Sequence, residues 1–222
     1  MLLVISPFAL YSQAPPLQWV LTYPTSSNNI CKDILIDKDG YRYIMGTFSG
    51  LSDFNGSSGY FPVQSKNNNE SFIMKTDSSG NISWFYNLPG VNLKKLHIKD
   101  GSLYMTGTFF GIVDFDPGSG TTMMTSGGNT EAFIAKWDTS ANFIWSSVPP
   151  VNVTTYVENL TSDTENNAIL TTDTRIIKYS PTGNVLYNLP HSFVIHGATT
   201  DPNNNVLLTG KCGANTDLDP GS

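Results

Sequence analysis

The feature that most constrains this chain is an internal repeat. A 61-residue offset maps Gly46-Thr47-Phe48 onto Gly107-Thr108-Phe109 and Asp53-Phe54 onto Asp114-Phe115. It also maps Ser71-Phe72-Ile73-Met74-Lys75 onto Ala132-Phe133-Ile134-Ala135-Lys136. Asp77-Ser78-Ser79-Gly80-Asn81 falls on Asp138-Thr139-Ser140-Ala141-Asn142, and Trp84 falls on Trp145. A third, shorter copy contains Arg175-Ile176-Ile177-Lys178-Tyr179 and Ser180-Pro181-Thr182-Gly183-Asn184, with Tyr187 where the earlier copies have tryptophan. A fourth begins near His191 and runs through Asp201-Pro202-Asn203-Asn204-Asn205 to Asp217-Leu218-Asp219-Pro220-Gly221. Self-similarity at a period of this size means a solenoid, a propeller or an array, because each unit must bury its apolar face against the next.

Each unit reads as four strands. In the first they are Cys31–Ile36, Tyr41–Phe48, Ser71–Thr76 and Asn81–Leu88. These segments are rich in Ile, Tyr, Phe, Val and Thr and are separated by Gly/Asn/Asp turns. Lys38-Asp39-Gly40 and Ser79-Gly80-Asn81 suit tight hairpins, since Gly and Asn accept positive φ. No stretch shows a helical period with caps. Charged residues are only 14% of the chain, and polarity comes from Asn, Ser, Thr and Gly, as in turn-rich all-β proteins. Four short antiparallel strands per unit describe a propeller blade. The expected fold is therefore all-β, a β-propeller of four-stranded antiparallel blades, incomplete in this chain. Residues 15–29 are expected to form a lone outer strand around Trp19 that closes a ring. Blades follow at 30–90, 91–150 and 151–190, with an incomplete one at 191–222. On this reading the chain is a fragment of a longer protein.

No charged residue precedes Lys32, and Leu2 to Leu10 is mostly apolar. That run has the length of a signal-peptide h-region and is too short to span a bilayer. Residues 1–14 are read as an export signal cleaved near Ala14, with a buried N-terminal strand as the alternative. No other run is long enough for a transmembrane helix. Cys31 and Cys212 stand far apart and outside any CxxC or Cys/His cluster, so ordinary thiols are expected rather than a zinc site. The net charge is −6 with no basic stretch, which argues against nucleic-acid binding and polybasic membrane attachment.

The Asp-x-x-Gly-Asn turns, Gly-Thr-Phe, the Asp-Phe-Asp-Pro-Gly loop, Phe-Ile-x-Lys and the closing tryptophan together resemble bacterial β-propeller repeat proteins of the SBBP type. The resemblance covers about residues 15–222. It implies a secreted or surface-exposed protein, often carrying a C-terminal type IX secretion sorting domain, which is absent here. It brings no catalytic residues with it.

The long units carry an insertion between strands two and three, Gly50 to Glu70 and Gly111 to Thr130, which the third unit omits. The fold does not need it, so it decorates one face, where ligands bind. Its aromatics Tyr60, Phe61 and Phe110 are candidate contacts for a glycan or a protein. Asp114, Asp116 and Gly118 recur as Asp217, Asp219 and Gly221, with Asp53, Asn55 and Gly56 in the first unit. Two readings stand for this motif. The carboxylates brace a rigid turn by accepting backbone N–H bonds, or they supply oxygen ligands to Ca²⁺. Asp77 and Asp138 fit turn caps, and Trp19, Trp84 and Trp145 fit packing between blades better than sugar platforms. His97, His191 and His196 share no repeat position, and no GxSxG, HExxH or P-loop is present.

The expected function is a secreted or cell-surface, non-catalytic module for adhesion, binding or scaffolding, with an extracellular glycan or protein as partner. The alternative is the propeller part of a polysaccharide hydrolase or lyase, which requires unrepeated polar residues to converge at the ring centre. No cofactor is expected beyond Ca²⁺.

Overall fold

The computed structural model describes residues 2–5, 17–21, 29–54, 59–150 and 156–213, the first two segments as backbone only. Strands β1 (Leu2–Ile5) and β2 (Leu17–Leu21) pair antiparallel with each other. The first blade comprises β3 (Ile30–Ile36) and β4 (Arg42–Phe48), an inserted hairpin β5 (Leu51–Asp53) and β6 (Pro62–Gln64), then β7 (Glu70–Thr76) and β8 (Ile82–Leu88). The second repeats the plan with β9 (Val91–Lys99), β10 (Ser102–Phe109), β11 (Ile112–Asp114), β12 (Met123–Thr125), β13 (Glu131–Asp138) and β14 (Phe143–Ser147). The third contains only β15 (Val157–Ser162), β16 (Ala168–Thr172), β17 (Arg175–Tyr179) and β18 (Val185–Pro190). β19 (Val194–Thr200) and β20 (Val206–Lys211) begin a fourth. The four-stranded sheets run in the orders β3-β4-β7-β8, β9-β10-β13-β14 and β15-β16-β17-β18, each an antiparallel meander. The described residues contain no helix. These are the blades of an incomplete β-propeller.

One turn recurs in four of the hairpins. In the β7–β8 link, Asp77 Oδ1 accepts the N–H groups of Ser79 and Asn81 at 2.8 and 2.9 Å, and Oδ2 accepts Asn81 Nδ2 at 2.8 Å. The chain then passes through Gly80 at φ 88°. Asp138, Asp163 and Asp201 make the same three bonds in the β13–β14, β15–β16 and β19–β20 links. This is a type I turn closed by a left-handed residue, held by an Asx cap. The caps hold the Asp77 and Asp201 carboxyls below the usual range through the Asn side chain and backbone N–H groups. Asp163 is fully buried, and burial alone would push its carboxyl up; the Lys178 ammonium at 2.7 Å and the Asn167 bonds outweigh that and hold it down.

The blades stack face to face, so their middle strands are buried on both sides; every residue of β4 and of β16 is buried. Tyr43, Met45 and Ile73 of the first blade share a core with Leu103, Phe133 and Trp137 of the second. Tyr104, Ile134 and Trp145 of the second share another with Leu170, Ile177 and Tyr179 of the third. The first strands lie side by side along the inside of the arc: β9 packs on β3, β15 on β9 and β19 on β15. Each has a bulge at the same level. The pairing skips Lys32 in β3, Lys94 in β9, Glu158 in β15 and His196 in β19. A bulge re-aims the extra side chain out of the ladder, and here it places four polar residues on neighbouring inner strands.

The strand limits of the first unit agree with the sequence reading to within one residue. The insertions differ: each contains a short hairpin of its own. Leu17–Leu21 is a strand as expected, and its partner among the described residues is β1. Both described cysteines are free and exposed.

Candidate functional site on the hairpin-bearing face

The two inserted hairpins are copies anchored in the same way. Gly50 and Ser65 exchange hydrogen bonds, with Gly50 N donating to Ser65 Oγ at 2.7 Å and Ser65 N donating to Gly50 O at 3.0 Å. Gly111 and Ser126 repeat this at 2.9 Å in both directions. Each hairpin drives a phenylalanine into its blade. Phe54 packs among Phe48, Phe72 and Phe85, and Phe115 between Phe109 and Phe133, with ring centroids 4.5 to 5.6 Å apart. Trp137, fully buried, donates its indole N–H to Phe115 O at 3.0 Å. The hairpins are therefore fixed to the scaffold rather than loose.

Their acidic residues brace the loops. Asp114 Oδ1 accepts Asp116 N at 3.0 Å and Thr122 N at 2.8 Å, and Asp116 Oδ1 accepts Gly118 N at 2.8 Å. Asp53 Oδ1 accepts Phe61 N at 2.9 Å. The described residues hold no group of three or more His, Cys, Asp or Glu that would cage a metal ion. Asp217 and Asp219 lie outside the described residues, as does the side chain of Trp19.

The candidate aromatics all reach solvent: Tyr60 is 72%, Phe61 39% and Phe110 61% exposed. The structure does not bring them to one place. Phe61 lies edge-on to Phe85 in a shallow recess beside β8. Phe110 lies in a groove of about 530 Å³ between the first and second blades. That groove gathers the end of the first insertion (Asn67, Asn69), the link between blades (Gly90, Asn92) and the rim of the second insertion (Phe110, Thr130). The sequence reading missed Leu51, Ile112 and Met123 of the hairpins, which are 47%, 71% and 58% exposed. The signal for Leu51 and Ile112 was their recurrence beside the buried Ser52 and Val113, in strands too short to show a period, and Met123 had none, since Pro62 stands at its place in the first unit.

The repeated tryptophans join blades. Trp84 Nε1 and Lys75 Nζ both donate to Thr139 O in the next blade's turn, at 3.2 and 3.0 Å. Trp145 Nε1 and Lys136 Nζ both donate to Pro181 O, at 2.9 and 3.3 Å. Trp145 also stacks on Tyr179 at 5.7 Å. This latch is why the Phe-Ile-x-Lys segment, the tryptophan and the turn recur together.

His97 Nε2 lies 2.8 Å from Ser162 Oγ, across the second and third blades. Ser162 is buried, so this pair presents no nucleophile to a substrate. Burial, then the Lys99 charge, push the His97 imidazolium down to about 4. The unfolded chain gains a proton below about pH 6.5, and the folded chain resists it until about pH 4. His97 therefore contributes stability above pH 6.5 that is lost as pH falls toward 4. Urea midpoints measured from pH 7 to 4 should fall in the native chain and fall less steeply in H97Q. Parallel slopes would count against this role.

No known protein-family profile matches the chain. It is 30% identical over 136 residues to an uncharacterized WD repeat-containing protein of Acanthamoeba polyphaga mimivirus, a match covering 45% of this chain. The chain spans about a tenth of that relative's length (10%). Among solved structures it is similar to the extracellular domain of a putative hybrid two-component system, BT4673, of B. thetaiotaomicron, at TM-score 0.33 and 13% identity, covering 85% of this chain and 32% of that one. A second structure of the BT4673 extracellular domain, described as a putative one-component system, gives TM-score 0.32 at the same identity and coverage. No helix among the described residues is long and apolar enough to cross a membrane. Repeats, meander sheets and relative agree on a propeller-like repeat fold.

Proposed function

We propose that this chain is part of a secreted or cell-surface propeller that binds a partner, without catalysis, through its decorated face. The observation that supports this most directly is the pair of inserted hairpins. They are built twice to one plan, are dispensable to the third blade, and expose Leu51, Ile112 and Met123 on rigid mounts. Apolar side chains held outward by a fixed scaffold are the anatomy of a contact surface. The inserted segments also raise the rim of the groove at Phe110.

Deleting a whole hairpin is a poor test, because Phe115 and Val113 are core residues. Surface substitution is better. The triple variant Phe110→Ser, Ile112→Ser, Met123→Ser should keep the native melting temperature within a few degrees. It should lose at least tenfold in binding on an array of polysaccharides and extracellular matrix proteins. A native chain that binds nothing on the array, or a variant that binds equally well, would overturn the reading.

A further inference from the structure

The groove between the first two blades combines an exposed aromatic ring with carboxamides and a hydroxyl. Its exposed ring, Phe110, offers a flat apolar face. Its walls offer the side chains of Asn67, Asn92 and Thr130. Carboxamides donate and accept in one group, which suits vicinal hydroxyls, and an aromatic face suits the C–H side of a pyranose ring. Beside the groove, on the neighbouring first strands, stand two lysines in a protein of net charge −6. Lys32 Nζ donates to Asn92 Oδ1 at 2.9 Å, across from the first blade to the second. Lys94, the bulged residue of the adjacent strand, is close enough that its charge, after burial, pushes the Lys32 ammonium down. The nearby acids, Glu70 in the groove lining and Asp33 beside Lys32, are engaged by hydrogen bonds. Glu70 is buried and accepts Lys66 N and Asn87 Nδ2, both at 2.6 Å. Asp33 accepts Ile34 N at 2.9 Å and Leu96 N at 3.5 Å.

We propose that this groove binds an acidic oligosaccharide, with a sugar face on Phe110, hydroxyls on Asn67, Asn92 and Thr130, and a carboxylate on Lys32 and Lys94 beside it. The proposal rests on the reading that the decorated face binds a partner, and it names that partner's class. Hydroxyl-rich rings explain the amides, and the uronate charge explains why two lysines are gathered by bulges on adjacent strands.

Calorimetric titration of the whole chain with tetragalacturonate and with its carboxyl-reduced neutral counterpart tests this. The uronate should bind at least tenfold more tightly at low salt, and the preference should shrink as NaCl rises. K32Q combined with K94Q should erase the preference, so that the uronate binds no more tightly than the neutral sugar. F110A should weaken both sugars about tenfold, with circular dichroism unaltered. Equal affinity for the two sugars, or a preference that survives the double lysine variant, would overturn the acidic-ligand assignment. If neither sugar binds but an array partner still depends on Phe110, Ile112 and Met123, the oligosaccharide assignment fails and the binding reading stands. If nothing binds this face, both fail.

Discussion

Trp145→Ala should split the unfolding of this chain. Trp145 joins the second blade to the third in two ways at once. Its ring stacks on Tyr179 at 5.7 Å, and its N–H donates to Pro181 O at 2.9 Å. Gly183 of that same turn lies so close that an added Cβ would sit 2.8 Å from the indole. Truncation removes the ring, the hydrogen bond and the stack together. Large-to-small changes of a buried tryptophan cost about 3–5 kcal/mol, because the site cannot collapse onto the space left. In a repeat array that loss falls mainly on one interface, since stability is shared between units and their nearest neighbours. Hydrogen exchange should then show β15–β18 opening at lower urea than β9, β10 and β13, where the native chain opens them together. A single cooperative transition moved to lower urea would sink the idea that Trp145 is the coupling element. Trp84 is more exposed than Trp145, and W84A should cost less.

Gly107→Ala should destabilise by about 3 kcal/mol, the upper range for overpacking a tight site. The reason is backbone against backbone. Gly107 in β10 faces the bulge of β9, and a Cβ there would overlap Asn92 O and sit 3.0 Å from Leu93 Cα. Gly46 meets Ile30 O in the same way in the first blade, and Gly210 meets Val194 O in the fourth. No rotamer change relieves a clash with main chain, so the strand pairing itself must shift. The third blade, which lacks the insertion, has Thr172 at this place. Because the bulge also places Lys94, G107A should disturb the lysine pair beside the groove as well as the fold. Urea midpoints of G107A and of the native chain give the measurement; a difference under about 0.5 kcal/mol, the ordinary scatter of surface changes, would remove the steric account.

Much of the architecture was legible in the residues themselves. The strands β4 and β7 and the turns at Asp77 and Asp138 could be read because their information is local: apolar runs, a capping carboxylate and a residue tolerant of positive φ. The inserted hairpins were not, because strands of three residues carry no usable period. The motif at Asp114 and Asp116 allowed a brace or a calcium ligand. Spacing does not reveal which N–H groups a carboxylate faces; the folded loop puts Asp114 Oδ1 on Asp116 N and Thr122 N. The polar residues of the inner strands escaped notice for a different reason. Lys32 and Lys94 stand one residue off the 61-residue offset, and Glu158 and His196 differ from them in type, so the repeat does not align them. The glycines opposite three of the four bulges did recur, and they were the available clue.

By itself the sequence determined the repeat, the all-β blades and the hairpin chemistry. Each depends on residues within one unit, where short-range sterics and hydrogen bonds decide the outcome. Tertiary structure alone decided what lies between units. It brought Lys75 and Trp84 onto one carbonyl of the next blade, and it separated Phe61 from Phe110. It also gathered Asn67, Asn92, Phe110 and Thr130 around one groove. These relations depend on how far each blade is rotated against its neighbour. Packing of the blade faces sets that rotation, and no local pattern along the chain encodes it.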